Sequence, residues 1–371
     1  MKEIVLYSFF SGCGLLDLGM ERAGFEMAVV SEKYGPFLEA YKYSRAKMNI
    51  PTPIHGYLNR DICDFLNEKS VIDELMDLDS NKIVGFIGGP PCPDFSTAGK
   101  NKGVSGDNGK LSQRYFDLIA KEKPDFFVFE NVKGLWKTKK HREFYDKMFK
   151  KMQQCGYYVI DKMVNSLEYE VPQERERVLM VGIKYNDKDQ KGRIQSLIQG
   201  FKWGVTSLNT LDVINNIDWP STSPFLMDGY LEEPKDIIEN LTIQYWFEKN
   251  DVYNHANSND YFRPRAGLKR MQTIDEGDVS RKSYKRLHRW RYSPTAAYGN
   301  NEVHLHPYKA RRLSVAEVMA IQSAPKEFEL PPNMTLTDKF KTIGNGVPVL
   351  MAEKFGLELR DLLEKYYTNE V

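Results

Sequence analysis

A cysteine in a proline-rich turn is the first residue of this chain that could do covalent chemistry. Cys92 lies between Pro91 and Pro93, shortly after the apolar run 83–87, which is typical of a buried strand. The prolines fix their own φ angles, and Pro93 also keeps Cys92 out of the helical region. A thiol held this rigidly beyond a strand end is well placed to act as a nucleophile. A buried structural cysteine in a tight turn would show the same pattern, because free cysteine is among the most buried residue types.

Charged groups accompany two further apolar runs. Glu130 comes directly after residues 126–129, at the end of a predicted strand, where α/β enzymes place functional groups and where burial raises a carboxyl pKa. Arg175 and Arg177 alternate with glutamates before the apolar run 178–183, so on an extended segment both guanidinium groups project from one face. The alternatives are an exposed strand-end carboxylate and a solvated edge of salt bridges.

The elements at the start of the chain could position a nucleotide-like cofactor. Residues 4–9 predict a buried strand, a turn with Gly12 and Gly14 follows, and a helix and a second strand lead to Glu32. In an open α/β sheet this unit binds the adenosine part of a cofactor, because the glycines admit the ligand and the carboxylate takes the ribose hydroxyls. The pattern fits NAD and S-adenosylmethionine (AdoMet) about equally well. Asp61, after a possible third strand, would contact the adenine amino group or cap a helix.

The composition bounds the class of protein. The 371 residues suffice for two domains, and 52 basic against 51 acidic residues leave any nucleic-acid surface to a local patch. The four cysteines show neither CxxC pairing nor metal-ligand spacing, which argues against a zinc site and a disulfide framework and for a reducing compartment. No stretch approaches the roughly 20 apolar residues of a membrane span. We therefore expect a cytoplasmic protein without a metal site or a membrane partner.

Five short motifs follow one another in a characteristic order. They are Phe-Ser-Gly-Cys-Gly from residue 10, Pro-Pro-Cys from residue 90, Glu-Asn-Val from residue 130, Gln-x-Arg-x-Arg from residue 173 and Gly-Asn-Gly-Val-Pro from residue 344. In this order they resemble the C5-cytosine-specific DNA methyltransferase family, over roughly residues 4–183 and 290–360. The resemblance implies an AdoMet-dependent DNA (cytosine-5) methyltransferase of the bacterial or phage restriction-modification type.

The resemblance also implies a role for each site residue. Cys92 adds to C6 of a cytosine flipped out of the duplex, Glu130 contacts N3, and Arg177, with Arg175 beside it, holds O2. The positions that match the family's AdoMet site are Phe10, Gly12, Gly14, Leu15, Glu32, Asp61, Ile62, Leu111, Asn345 and Val347. The chain departs from the family's pattern twice, because Leu15 replaces a frequent third glycine and Pro93 replaces a frequent glutamine after the nucleophile.

The expected fold is α/β, with a Rossmann-like, mostly parallel sheet of the AdoMet-dependent methyltransferase type and a smaller target-recognition domain. Residues 1–183 would form the catalytic domain, completed by about 340–371, and residues 184–339 the target-recognition domain. The loop 96–108 resembles the family's mobile active-site loop, and the basic, aromatic segment 281–292 fits a phosphate-contacting surface. The residues expected to contact DNA are Ser96, Lys100, Arg281, Lys285, Arg286, Arg289 and Arg291.

The expected partner is double-stranded DNA, bound by a monomer, with a cognate restriction endonuclease acting separately. A tRNA cytosine-5 methyltransferase of the same family is the nearest alternative, although the long region with a basic end favours DNA. A methyltransferase-like binding module would lack Cys92 or Glu130, and both are present. An NAD-linked oxidoreductase would explain the glycine turn but neither Pro-Pro-Cys nor the paired arginines.

Overall fold

A seven-stranded sheet organises the chain in the computed structural model, which describes residues 2–67, 69–91, 107–205, 210–264, 267–296, 298 and 302–368. The strands are β1 Ile4–Phe9, β2 Glu26–Ser31, β3 Tyr57–Leu58, β4 Ile83–Gly88, β5 Phe126–Val132, β6 Tyr157–Asn165 and β7 Glu176–Lys184. Their spatial order is β3-β2-β1-β4-β5-β7-β6. Among these strands β7 runs antiparallel to its neighbours β5 and β6, and the other pairings are parallel. The prediction of a mostly parallel α/β sheet is confirmed.

Helices connect and cover the strands. Those of the sheet region are α1 Leu15–Arg22, α2 Gly35–Lys47, α3 Val71–Leu78, α4 Asp107–Glu122, α5 Lys133–Lys137, α6 Lys139–Gln154 and α7 Lys188–Ile198. Those further along the chain are α8 Leu211–Asn215, α9 Ile243–Lys249, α10 Leu268–Met271, α11 Val315–Ile321, α12 Leu336–Asn345 and α13 Val349–Thr368. A capping box formed by Ser314 and Glu317 opens α11. In the part of the chain described, no helix has both the length and the apolar character needed to cross a membrane.

Burial of the central strands on both faces holds the sheet between two layers of helices. β1, β4 and β5 are almost entirely buried, as is usual for parallel strands covered on each side. Leu6 and Val128 pack in a cluster with residues of α1, α7 and α13. Val5 and Phe127 face the other way, into a cluster with α4 and α6. The helix α13 therefore packs on a sheet whose strand β1 lies more than 300 residues earlier in the sequence.

Packing around the sheet continues beyond the boundary expected at residue 183. Ile194 of α7 and Trp203 belong to the buried cluster that includes the sheet and α13, and Val205 packs against it. A further cluster joins residues between Ile243 and Val349 to Leu15 and other residues of α1 and α2. Packing around the sheet thus extends to about residue 205, and the domain boundaries stay a prediction. The part of the chain that contains Ile243 packs directly on α1.

The ends of the parallel strands bring the predicted chemistry to one edge of the sheet. In the strand register, Phe9 of β1 lies beside Ser31 of β2 and Gly88 of β4, and Gly88 lies beside Phe129 of β5. Side chains that follow these positions therefore share the carboxyl edge of the sheet, where open α/β proteins bind their ligands.

Candidate active site

Glu130 and Arg177 form a buried ion pair at this edge. β5 extends beyond the apolar run 126–129, so Glu130 lies within the strand and pairs with Leu179 of β7. Oε1 of Glu130 lies 2.9 Å from Nε of Arg177, and the glutamate is only 7 % exposed. Burial raises the pKa of the Glu130 carboxyl, while Arg177 and Arg175 oppose the rise. The edge thus holds a carboxyl group that can carry a proton beside a fixed guanidinium group.

The turn towards Cys92 leaves the sheet next to Glu130. A Cβ at Gly89 would lie 2.7 Å from Oε2 of Glu130, so backbone and carboxyl group approach each other closely. The side-chain amide of Asn131 lies 3.5 Å from the carbonyl oxygen of Pro90, which tethers the turn to β5. The backbone that leads to the predicted nucleophile is therefore held against the carboxyl group. Three predicted site residues, Cys92, Ser96 and Lys100, lie outside the described residues.

Arg175 contacts the glycine-rich motif near the end of the chain. Its side chain is fully buried, and Nη2 donates to the carbonyl oxygens of Gly344 and Gly346, 2.9 Å away in each case. Burial and the neighbouring Arg177 lower the pKa of the Arg175 guanidinium. Nη2 of Arg175 is thus directed at the backbone on both sides of Asn345, which lies between the two glycines. The catalytic role expected for Arg175 stays a prediction.

Two glycines and a glutamate form the first part of the candidate ligand cradle. Gly12 and Gly14 have φ angles of +58° and +83°, which side chains rarely adopt, and a Cβ at Gly14 would collide with Tyr41. Glu32 braces the turn, because Oε2 accepts from N of Gly12 at 3.0 Å and Oε1 accepts from N of Tyr34 at 2.7 Å. Burial raises the pKa of the Glu32 carboxyl, and these N–H donors oppose the rise. The carboxylate thus sits at the expected end of β2.

Leu15 packs beneath the glycine-rich motif. The side chain is buried, and a Cβ at Gly346 would lie 2.6 Å from its Cδ1. Val347 is buried with the core around the sheet, whereas Asn345 is exposed at the end of α12. Phe10 has a left-handed φ of 56° and begins the turn. The leucine that replaces a frequent glycine therefore joins the first and last motifs of the chain by direct packing.

The other predicted cofactor residues lie at the end of β3 and on α4. Asp61 caps the short 3-10 helix Ile62–Leu66, so the helix cap considered from the sequence is one of its roles. Its Oδ2 lies 2.6 Å from Nζ of Lys33, a pair that is largely open to solvent. Ile62 is buried, and Leu111 is half-buried on α4. These residues extend the cradle along the carboxyl edge from β1 to β3.

A buried polar network that was not predicted connects the glycine turn with α1 and α2. Oγ of Ser8 donates to Oδ1 of Asp17 at 2.8 Å. Nη2 of Arg45 donates to the carbonyl oxygen of Gly14 at 2.8 Å and to Oε2 of Glu21 at 2.9 Å. Burial raises the pKa of the Asp17 carboxyl to about 7, although Arg45 opposes the rise. No local signal marks Arg45, because its partners belong to a different helix and turn.

The basic segment contains buried as well as accessible arginines. Arg286 is fully buried and donates from Nε to the Ile274 carbonyl at 2.8 Å. Arg289 is also buried, and its Nε and Nη2 donate to the Glu276 carboxylate at 2.9 and 2.8 Å. The expected surface position of Arg286 and Arg289 is thus corrected, because both hold neighbouring segments together. Accessible members of the predicted DNA-contacting set are Arg281, which is exposed, and the half-buried Lys285 and Arg291.

The fold and the edge define an α/β protein with a candidate ligand cradle on β1 to β3 and a carboxyl–guanidinium pair on β5 and β7. Residues 4–360 match the family described as C-5 cytosine-specific DNA methylase. The chain belongs to this family and is a DNA (cytosine-5) methyltransferase. The resemblance indicated by the five motifs is confirmed.

Known relatives match almost the whole chain. The type II methyltransferase M.NmeDI of Neisseria meningitidis serogroup C is 53 % identical over 370 residues, which cover 99 % of this chain and 86 % of the relative. The type II methyltransferase M.FnuDI of Fusobacterium nucleatum is 28 % identical, covering 96 % and 94 %. Among solved structures, a prophage-encoded DNA modification methyltransferase from E. coli superposes with a TM-score of 0.64 at 22 % identity, covering 98 % of this chain and 99 % of its own. This structural likeness supports the methyltransferase type of fold.

Proposed function

We propose that the protein methylates C5 of a cytosine within a specific duplex sequence, with AdoMet as methyl donor and a covalent bond between Cys92 and C6 of a flipped base. The observation that carries the proposal is the buried Glu130–Arg177 pair beside the backbone that leads to Cys92. A protonated carboxyl group and a guanidinium group are donors, as the N3 and O2 acceptors of cytosine require. Because the pair is buried at the sheet edge, a base must leave the helical stack to reach it.

The nucleophile is needed because C5 of cytosine is itself a poor nucleophile. Bond formation between the Cys92 sulfur and C6 makes C5 enamine-like and moves electron density towards N3. Glu130 contacts N3, and the raised pKa of its carboxyl favours the protonated form that this contact needs. Arg177 donates to O2 and fixes the ring. After C5 is methylated, loss of the C5 proton and departure of the Cys92 thiolate restore the aromatic ring.

The cradle fits AdoMet by the chemistry of its residues. Glu32 would take the ribose hydroxyls and Asp61 the adenine amino group, while the turn at Gly12 would let the ligand approach the backbone. Gly14 allows the same turn to pack against Tyr41. When bound, AdoMet supplies an electrophilic methyl group on a sulfonium centre. The other residues that would line its site are Phe10, Leu15, Ile62, Leu111, Asn345 and Val347. Arg175 keeps Asn345 in place through the flanking carbonyl groups.

DNA would be bound between the carboxyl edge and the recognition region. Arg281, Lys285 and Arg291 are the accessible cations of the basic segment, and Ser96 and Lys100 remain proposed DNA contacts on the loop after Cys92. The relatives are named type II methyltransferases, which supports a role in restriction-modification. We propose further that the methyltransferase acts as a monomer in the cytoplasm and that a cognate endonuclease acts separately.

Covalent trapping tests the mechanism directly. A duplex with 5-fluorocytosine at the methylated position, incubated with AdoMet, should give a protein–DNA adduct that survives denaturing electrophoresis, because fluorine cannot leave as a proton does. Cys92→Ala should abolish both adduct and methyl transfer while retaining DNA binding. Cys155→Ala is the matched control, since this partly buried thiol follows α6, and it should trap normally.

Two results would contradict the proposal. Methyl transfer by Cys92→Ala would exclude the covalent mechanism, and so would the lack of an adduct on a duplex whose unmodified form is methylated. Labelled AdoMet offered with duplex DNA or with tRNA separates the two substrate classes, and label in tRNA alone would favour the alternative. Bisulfite sequencing of DNA from an expressing host would identify the site to use.

A further inference from the structure

Two lysines share one glutamate at the rim of the Glu130–Arg177 site. Lys133 and Lys137 begin and end α5, and both ammonium groups contact the carboxylate of Glu176, the second one at 3.2 Å. The two lysine side chains are 46 % and 53 % exposed, while Glu176 is 27 % exposed. The two ammonium groups thus form an accessible patch with Glu176, and the exposed Glu174 carboxylate also acts on Lys133.

The strand register places this patch at the same end of β5 and β7 as the proposed base pocket. Because Glu176 alternates with Arg177 along β7, its side chain leaves the opposite face of the strand. Val132, the last residue of β5, pairs with Arg177 of β7, so α5 starts where Glu176 enters the strand. Lys133 follows Glu130 by three residues, which is about 10 Å along an extended backbone. A nucleotide whose base reaches Glu130 remains joined to its phosphates, and these must stay at the rim. A target strand whose base occupies that pocket would thus have its phosphates at the same end of the sheet as the patch.

Stability alone gives little reason for two lysines at these positions. Like charges four residues apart on a helix repel each other by a few tenths of a kcal/mol. An exposed lysine–glutamate pair contributes about 0–1 kcal/mol, so either lysine can exchange the carboxylate for another anion at small cost. The Glu176 carboxylate has its pKa lowered by hydrogen bonds from both lysines, which keeps it charged and the lysines oriented before DNA arrives. Two ammonium groups held this way are suited to phosphate oxygens.

We propose that Lys133 and Lys137 bind the phosphates of the strand that carries the target cytosine, with Glu176 holding both side chains in place until DNA displaces it. This inference rests on the proposed function, since it takes duplex DNA as the substrate. It assigns a phosphate-contacting surface to the catalytic part of the chain, in addition to the basic segment of the recognition region.

The test is the salt dependence of DNA binding. Affinity for a duplex carrying the methylated site is measured by fluorescence anisotropy between about 50 and 200 mM salt. Affinity that depends on phosphate contacts falls steeply over this range. Each lost phosphate contact should reduce the slope of log K against log salt by about 0.9. Lys133→Gln and Lys137→Gln should each show this loss, and the double variant about twice as much, with a higher KM for DNA. Lys150→Gln is the matched control, because this exposed lysine lies about 16 Å along α6 from its first residue.

Glu176→Gln separates phosphate binding from a structural role. If the lysines bind phosphate, removal of the competing carboxylate should leave the salt slope of this variant at least as steep as that of the wild type. If they only brace Glu176, all three substitutions should change stability alike, and none should change the slope. Unchanged salt slopes for Lys133→Gln and Lys137→Gln would overturn the inference. If the wild-type protein still binds and methylates the duplex, the proposed function is unaffected by that result. A wild-type protein that binds no duplex would instead reject the proposed function itself.

Discussion

Substitution of Gly89 by alanine should damage catalysis far more than stability. The new Cβ would lie 2.7 Å from Oε2 of Glu130, whereas ordinary van der Waals contacts begin at 3.4 Å. The carboxyl group must therefore retreat by about 0.7 Å. Because it is the end of a flexible side chain, the retreat should cost at most about 1 kcal/mol of folding free energy. A misplacement of about 1 Å in an active site can cost roughly 100-fold in rate, so we expect a loss between tenfold and about 100-fold.

The assay is single-turnover methyl transfer to a duplex carrying the methylated site, together with urea denaturation of the same preparations. Gly192→Ala is the matched control, because Gly192 lies within α7 and a Cβ there meets nothing within 4 Å. This control should keep the wild-type rate and gain about 0.5–1 kcal/mol of stability. Gly89→Ala should lose rate without a comparable loss in the free energy of unfolding.

A double-mutant cycle identifies Glu130 as the route of the effect. If Gly89→Ala acts by moving the Glu130 carboxyl group, it should cause little or no further loss of rate in a protein that already carries Glu130→Ala. An equal loss of rate in both backgrounds would refute the reasoning, and so would a wild-type rate for Gly89→Ala alone. The first result would point to displacement of the turn before Cys92, and the second to a carboxyl group that has room to spare.

Three further substitutions test the division between buried and accessible charges. The pKa of the Asp17 carboxyl rises from 3.8 to about 7 on folding. Between these values the folded state holds a proton that the unfolded state releases, so stability falls as the pH rises. Relative to Asp17→Asn, the free energy of unfolding should fall by about 1.4 kcal/mol per pH unit from about pH 5 to 7. Urea denaturation across this range checks it, and equal slopes for the two proteins would contradict the raised pKa. Arg286→Met should lose at least about 3 kcal/mol of stability because it leaves buried carbonyl groups without donors. Arg281→Gln should change stability by less than about 0.5 kcal/mol while reducing the salt slope of DNA binding by about 0.9, and the reverse pattern for these two arginines would contradict their division into buried and accessible groups.

The features that local sequence predicts well are those encoded by short apolar runs and by motif order. The first strand, the glycine turn, Glu32 at the end of β2 and Glu130 on β5 all follow from buried runs that end at a polar residue. Their common position can be predicted because the carboxyl ends of parallel strands meet at one edge of the sheet. The contact between Glu130 and Arg177 could not be predicted in this way, because it depends on the antiparallel insertion of β7 between β5 and β6.

The features that could not be predicted depend on contacts between distant segments. Arg45 reaches Gly14 across 31 residues, and Arg175 reaches Gly344 across 169. The close approach of Gly89 to Glu130 follows only once β4 and β5 are in register. An arginine or a glycine at such a position carries no local mark of its partner, so a single sequence shows the residue but not its role.

Buried arginines help to hold together the part of the chain that carries the basic segment. A large apolar cluster joins residues from Ile243 onwards to α1 and α2, and Met271, Ile274 and Leu305 belong to a separate small one. Arg286 and Arg289 add contacts that apolar side chains cannot make, because each guanidinium group donates to carbonyl or carboxylate oxygens of several segments. The donors of such an arginine are engaged within the protein. Burial, which sequence composition does not reveal, therefore decides which arginines remain available to a ligand.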